Sequence, residues 1–510
     1  MKRYPISVVL GTAMTLLVFV SSVVAAPTAT GAKRPLFEGT TATFVPWVND
    51  PNISDTFTFS HVHQPLNGTS SAVNNHPELE YTPNASFTSG TDSFTYRATD
   101  QAGNWVNGTA RVRVYDNTAL SRCTRIGTVN TDGTIGVRTF SNDCTFYSSR
   151  RTRVAEDGTP VTMDYFINWP SNNNAPKGVV VLIGGGDLNM KFSGNTATGV
   201  AGGTGGGNFV VRTAQLFADA GYLTIAINKP SDQPPAGSID STRDADQYRI
   251  SVKHAVDILK VLKHFNTQNL PVFLAGTSRS AISAVAANLI ATGVSLSSAV
   301  TINTDNSSHL YVGDPSVANL QTSFVQRPVH VLWNTSDNCS VTTPTDSQDL
   351  YTSLSGTTTA TYNTVTGGVR VTQPGNGLTS ADIGDCQAFD YHGYFGMETT
   401  AVGYITGWLD AEVTALAGDV PPKAPFATIK SASGAIKHTN LANLIGNQSG
   451  LSYGLSHATT SLGGSVTIHG SRVTYTPPAG VSNKTDYYVY FVTDGSGGVG
   501  AGVITVKIGN

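Results

Sequence analysis

The chain of 510 residues is too long for one ordinary domain, and its remainder after any leader could hold two or three separate cores. A net charge of −3, with only 13% charged residues, argues against a nucleic-acid-binding surface. The one basic cluster, Arg150, Arg151 and Arg153, is too short to change that, and Gly, Ser, Thr and Asn supply the polarity as in exported β-rich proteins.

Lys2 and Arg3 precede an apolar run from Ile6 to Val24 that closes on small residues before Pro27. This reads as an export signal over residues 1–26, cleaved after Ala25 or Ala26, with an uncleaved anchor as the alternative. No later stretch has the length and apolarity of a membrane span, so the mature chain is expected outside the cytoplasm: extracellular, periplasmic or on the cell surface. In an exported chain four cysteines read as two disulfides, and closeness in sequence pairs Cys123 with Cys144 and Cys339 with Cys386. Neither pair has the short-spaced Cys/His pattern of a zinc site, and no metal or organic cofactor is expected.

The flanks repeat each other at a fixed offset. Tyr81-Thr82-Pro83 recurs as Tyr475-Thr476-Pro477, Thr91-Asp92-Ser93-Phe94-Thr95-Tyr96 as Thr485-Asp486-Tyr487-Tyr488-Val489-Tyr490, and Thr99-Asp100 as Thr493-Asp494. Phe94, Tyr96 and Ala98 alternate with polar residues, the period of half-buried strands, so each copy is expected to be a small antiparallel β-sandwich. Both copies resemble the bacterial Ig-like and cadherin-like repeats of exported proteins. The resemblance implies either a carbohydrate- or surface-binding module or a spacer and stabilising domain. Asp92, Asp100 and Asp486 hint at calcium, but aspartates at turns more often accept from nearby backbone donors, and no metal is predicted there. The expected division is residues 27–118 and 419–510 as sandwiches around a catalytic unit at 119–418.

Within 119–418 the texture alternates between strand and helix, the signal of an α/β fold with a largely parallel sheet. Lys177–Ile183 holds a continuous apolar run ending in Gly184-Gly185-Gly186-Asp187. A helix over Phe209–Ala220 with Gly221 as its cap leads to a strand over Tyr222–Ile227, and an amphipathic helix over Asp244–Phe265 follows. The strand at Pro271–Gly276 then turns sharply at Thr277-Ser278-Arg279-Ser280 into a helix reaching about Ala291. Further strands are expected over Ser298–Ile302 and Pro328–Trp333, the latter opening into a loop with Asp337. His392 lies in a glycine-flanked loop ahead of a closing helix from about Glu398 to Leu416.

Gly276-x-Ser278-x-Ser280 has the small neighbours that a strained nucleophile turn needs, with serine where the second glycine usually stands. A serine hydroxyl needs an imidazole to take its proton, and among the eleven histidines only His392 occupies such a late loop, whereas His254 and His264 fall on a helix and His330 in a strand. Asp337 is the expected partner of His392, with Asp305, Asp385 and Asp390 as competitors. The elbow, the acid strand with Asp337 and the His392-Gly393 loop together resemble the α/β-hydrolase fold over some 250 residues. The resemblance implies an oxyanion hole from the backbone N–H of Arg279 and of Gly186 or Asp187; no His precedes these glycines, so the second donor is assigned by position. A phosphate cradle at Gly184–Gly186 lacks the required spacing. The expected function is a secreted serine hydrolase acting on carboxylic esters, a class that includes polymeric or surface-bound substrates. The alternatives are a peptidase or amidase on the same residues, or a non-enzymatic adhesion protein.

Overall fold

The computed structural model describes residues 28–30, 32–37, 41–44, 47–49, 58–72, 79–100, 103–115, 145–168, 170, 176–186, 188–190, 208–233, 241–263, 270–300, 325–356, 358–373, 383–446 and 449–509. The export-signal stretch, Cys123, Cys144, Asp187, His264 and Asp305 lie outside the described residues.

The central region is an eight-stranded mixed sheet. Its strands are β1 (Thr145–Val154), β2 (Pro160–Asn168), β3 (Val179–Ile183), β4 (Leu223–Pro230), β5 (Val272–Thr277), β6 (Gly293–Ser297), β7 (Val329–Asn334) and β8 (Ala360–Val365). They lie side by side in the order β1-β2-β4-β3-β5-β6-β7-β8; β2 runs antiparallel to both its neighbours and the remaining pairs are parallel. Every residue of β3, β5, β6 and β7 is buried, as parallel strands covered on both faces must be. The register pairs Ile183 with Gly276, Thr277 with Ser297 and Ser297 with Leu332. The loops following β3, β5, β6 and β7 therefore emerge together at the carboxyl edge, where open α/β sheets bind ligands.

The helices α1 (Phe209–Arg212), α2 (Ala214–Asp219), α3 (Ser241–Arg249), α4 (Val252–Leu262), α5 (Ser280–Ala286), α6 (Pro344–Ser355) and α7 (Glu398–Ala415) cover the two faces. One apolar cluster joins the sheet to α3, α4, α5 and α6, and a second joins it to α1, α2 and α7. Among the described residues no helix is long and apolar enough to cross a membrane.

Four elements differ from the sequence reading, the first being the helix expected to reach about Ala291, which ends at Ala286 and is followed by a 3-10 turn over Asn288–Ile290. The helix expected over Asp244–Phe265 is broken into α3 and α4 at Ile250-Ser251, where Ser251 takes an extended conformation (φ −87°, ψ 154°) and its hydroxyl donates to Tyr248 O at 2.7 Å. The helix expected over Phe209–Ala220 is interrupted at Thr213, whose hydroxyl donates back to Phe209 O at 2.7 Å. The strand expected at Ser298–Ile302 is instead β6, Gly293–Ser297; it ends because Ser298 turns to φ +40°. The richer apolar run at Ala299-Val300 drew the expectation forward, whereas the real strand buries serines as well as Val294 and Leu296.

Each terminal sandwich packs a four-stranded sheet on a three-stranded one. In the first copy the central pair is Gly90–Thr99 with Trp105–Tyr115, in the second Lys484–Thr493 with Val499–Ile508. The repeat extends to a buried hydrogen bond, Tyr81 Oη to Asp92 Oδ2 at 2.9 Å and Tyr475 Oη to Asp486 Oδ2 at 3.0 Å. Asp92 also accepts from the amides of Leu66, Asn67 and Ser93, and Asp486 from those of Leu462 and Tyr487, so both carboxylates act as turn anchors.

The second sandwich is joined to the central region by an apolar interface. Tyr487, Val489 and Val503 belong to the same buried cluster as α4, while Tyr488, Tyr490 and Ile504 face their own sandwich core. Tyr487 Oη accepts from Val154 N at 2.9 Å, His457 Nε2 lies 3.1 Å from Ile250 O, and the ammonium of Lys263 lies 4.3 Å from the Phe426 ring centre. We expect Tyr487→Ala to cost about 3 to 5 kcal/mol, the range for truncating large buried aromatics, in urea unfolding of the full chain. The buried cluster of the first sandwich holds only that sandwich's own residues among those described, so deleting it is expected to leave the unfolding of the central region within about 1 kcal/mol of the full chain.

Burial also sets an acid limit on stability. His330, stacked on Trp408 with ring centres 5.6 Å apart, is held neutral by desolvation that lowers its pKa from 6.5 to about 4. The unfolded chain takes up this proton first, so the stabilisation is complete above pH 6.5 and is lost as pH falls through 4, a change of about 3 kcal/mol. Urea unfolding across pH 7.5 to 4 should show this loss, and His330→Asn should reduce it without abolishing it, since buried His254, lowered to about 3, and His457, also lowered by burial, add to it.

Candidate active site

Ser278 follows the last residue of β5 and adopts φ +60°, a left-handed conformation that a serine enters only under constraint. Three features impose it. A Cβ on Gly276 would stand 2.3 Å from Ser280 O, so the strand and the following helix approach at a distance only glycine permits. Ser280 Oγ accepts from Thr277 N at 2.7 Å and donates to Thr277 O at 2.7 Å, which explains serine in place of the second glycine. Ser278 N donates to Ser297 O at 3.0 Å, tying the turn to the end of β6. Ser278 itself is partly exposed, and Arg279, at φ −58°, starts α5.

The glycine loop after β3 lies against this turn. A Cβ on Gly185 would meet Thr277 O at 2.9 Å and the Ser278 Cβ at 3.4 Å, whereas Gly186, at φ +58°, faces open space. Gly185 thus packs on the elbow and Gly186 follows it into open space; Asp187, the alternative second donor, is outside the described residues.

Asp337 and His392 are brought together from β7 and from the loop before α7. Asp337 Oδ2 is 3.1 Å from His392 Nδ1, with both side chains almost wholly buried. Oδ2 also accepts from Thr342 Oγ1 at 3.1 Å, and Oδ1 accepts from Cys339 N at 2.9 Å. A carboxylate facing Nδ1 favours the tautomer with the proton there, which leaves Nε2 as the basic nitrogen. Among the described residues neither Ser278 Oγ nor His392 Nε2 has a hydrogen-bond partner. Of the competing acids, Asp390 caps Tyr391 N at 2.6 Å and pairs with Arg370 at 3.2 Å, its carboxyl pKa pushed up by burial, and Asp385 also pairs with Arg370.

The His392 loop is held by groups that the sequence reading did not single out. Arg212, almost fully buried, donates to Gly393 O, to Ala388 O at 3.1 Å and to Glu398 Oε1 at 3.0 Å, and lies within 6 Å of the ring centres of Phe209, Phe389 and Phe395. The Tyr394 hydroxyl donates to Leu332 O at 2.8 Å and accepts from Ser298 Oγ at 3.0 Å. Thr342 bridges the acid and the base, its hydroxyl 3.0 Å from His392 Nδ1. The one available signal was an arginine at the end of an apolar run, Phe209-Val210-Val211-Arg212, and its partners lie more than 170 residues away.

Residues 24–113 and 419–507 each match the family described as Bacterial Ig domain. Among solved structures, the chain is similar to the apo form of Thermogutta terrifontis esterase 2, at 12% identity over 54% of this chain and 96% of that one, TM-score 0.33. It is also similar to a Pyrococcus horikoshii acylaminoacyl peptidase, at 10% identity over 76% and 70% of the two chains, TM-score 0.35. A third is a dienelactone hydrolase-like promiscuous phosphotriesterase from metagenomic libraries, at 11% identity over 52% and 98%, TM-score 0.32. No curated protein matches the chain. By family match and strand order, bacterial Ig-like domains at both ends flank a central α/β-hydrolase-like region.

A disulfide joins Cys339 to Cys386, linking the segment just after Asp337 to the segment just before His392. Reducing it is expected to remove about 3 to 4 kcal/mol of loop-closure stabilisation and to loosen the Asp337–His392 pair. Amide hydrogen exchange in the segments around Asp337 and His392 should therefore quicken at urea concentrations where the oxidised protein is unchanged, measured with and without reductant.

Proposed function

We propose that the central region is a serine hydrolase cleaving carboxylic esters, with Ser278 as nucleophile, His392 as general base and Asp337 as its partner. The observation that carries this reading is the buried Asp337–His392 hydrogen bond at the sheet edge where Ser278 sits in a strained elbow. Ser278 Oγ would attack the acyl carbonyl as His392 Nε2 takes its proton, and Asp337 would offset the charge of the imidazolium. The tetrahedral oxyanion would accept from the Arg279 amide and from the amide of Gly186 or Asp187. The imidazolium then protonates the departing alcohol, and water releases the acid by the same route in reverse. His392 relays each proton in this scheme, from Ser278 to the alcohol and then from water back to Ser278.

Export of the chain is part of the proposal. It is supported by the charged and apolar N-terminal run and by a disulfide, a bond that persists in oxidising compartments.

Hydrolysis of p-nitrophenyl acetate and butyrate, with labelling by a fluorophosphonate, tests the reading. Ser278→Ala should abolish labelling and lower kcat by about 10⁴-fold or more while leaving the unfolding curve in place. Residual activity within about tenfold of wild type would assign the nucleophile to another residue. A panel of anilide and peptide substrates separates ester from amide preference.

A further inference from the structure

We infer that Asp246, Arg249 and Arg279 form a buried positioning network that locks the glycine loop to the nucleophile elbow, setting the geometry of the proposed oxyanion hole. The inference rests on the serine-hydrolase reading and assigns three side chains that it does not use.

Arg249 ends α3, and its side chain is fully buried. A guanidinium is tolerated there only when its donors are engaged. Nη2 donates to Gly186 O at 2.9 Å and to Gly184 O at 3.3 Å, Nη1 donates to Ser283 Oγ at 3.0 Å in α5, and Nε lies 3.2 Å from Asp246 Oδ1. The other carboxylate oxygen of Asp246 pairs with Arg279, whose own amide is the first proposed oxyanion donor. One guanidinium fork therefore holds the loop after β3 and the helix after β5, and one carboxylate ties that fork to the elbow residue.

The direction of these bonds matters. In a trans peptide unit C=O and N–H point to opposite sides. Drawing Gly184 O inward to Arg249 turns the Gly185 amide outward, and with Gly186 O drawn to the same fork the peptide unit between them, which carries the Gly186 amide, is held at both ends. The loop so oriented lies against Ser278, where a Cβ on Gly185 would be 3.4 Å from the serine Cβ. An arginine is required because a planar fork reaches two carbonyls, a hydroxyl and a carboxylate at once, whereas a lysine offers three donors from a single point. Misdirected amides weaken binding of the tetrahedral oxyanion far more than binding of the planar ester.

The test uses the full-length chain with Arg249→Lys and Asp246→Asn. The readouts are kcat and KM for p-nitrophenyl acetate, and inhibition by phenylboronic acid, which forms a tetrahedral adduct with a serine nucleophile. We expect kcat to fall about 10- to 100-fold, KM to stay within about threefold, and boronic acid affinity to fall in step with kcat/KM. A folded variant with kcat within about threefold of wild type overturns the network, as does a loss confined to KM with boronic acid affinity unchanged. If Arg249→Lys fails to fold, Asp246→Asn and Ser283→Ala, which keep the arginine, carry the same criteria. Wild-type protein with neither hydrolysis nor fluorophosphonate labelling would overturn the serine-hydrolase reading itself, a result distinct from an active wild type with indifferent variants.

Discussion

The left-handed turn at Ser278 is the constraint around which the central region is arranged. A serine at φ +60° costs roughly 1 to 3 kcal/mol, and such a conformation persists only where its surroundings over-determine it. Here the surroundings are a fully buried strand before the turn, a buried helix after it and a glycine at their closest approach. Parallel strands on both sides of β5 fix its height in the sheet, and the turn has no room to relax. The strain is thus held by the core, and its consequence is a serine side chain left partly exposed at the carboxyl edge.

Around this turn, loops are held by buried side chains more than by regular structure. Arg212 gathers two carbonyls of the His392 loop, and Arg249 gathers two carbonyls of the glycine loop. In both cases a guanidinium replaces the water that exposed loop carbonyls would otherwise bind. Losing either would leave the carbonyls unsatisfied in a dry setting, a cost of about 1 to 3 kcal/mol each. The Asp337–Thr342–His392 cluster follows the same logic, with every acidic oxygen accepting from at least one donor. These loop segments can be irregular because their backbone groups are satisfied from within.

The sequence was informative where a local pattern carried the information. Continuous apolar runs located β3, β5 and β7, because strands covered on both faces have no polar side. The turn at Ser278 was legible because small residues at fixed offsets are a local requirement, whereas the nearness of Asp337 to His392 followed only from the chain order that the resemblance implies. β6 was misplaced because its serines are buried on a strand whose neighbours satisfy the backbone, and composition alone favoured the next five residues. The break between α3 and α4 was hidden by a continuous amphipathic stripe, since one serine hydroxyl turning to a backbone carbonyl leaves the periodicity nearly intact. The roles of Arg212 and Arg249 were not legible, because their partners come from distant segments and the apolar run before Arg212 marks only its burial.

The unlike environments of the two sandwiches follow from a difference that the repeat itself contains. At equivalent positions the first copy carries Ser93, Thr95 and Thr109 on the outer face of its central hairpin, and the second carries Tyr487, Val489 and Val503. The polar set is exposed or half-exposed in the first copy, and the apolar set is buried against the hydrolase-like region in the second. Inward residues keep the same character in both, as Phe94 with Tyr488 and Tyr96 with Tyr490 show. One fold therefore serves as a module with its own core at one end and as an added layer of the central core at the other. That layer meets α4 directly and reaches α3's end through the His457 contact at Ile250, one residue from Arg249. The second sandwich is consequently continuous with the packing behind the glycine loop, and its removal would expose the back of the helix pair that carries that arginine.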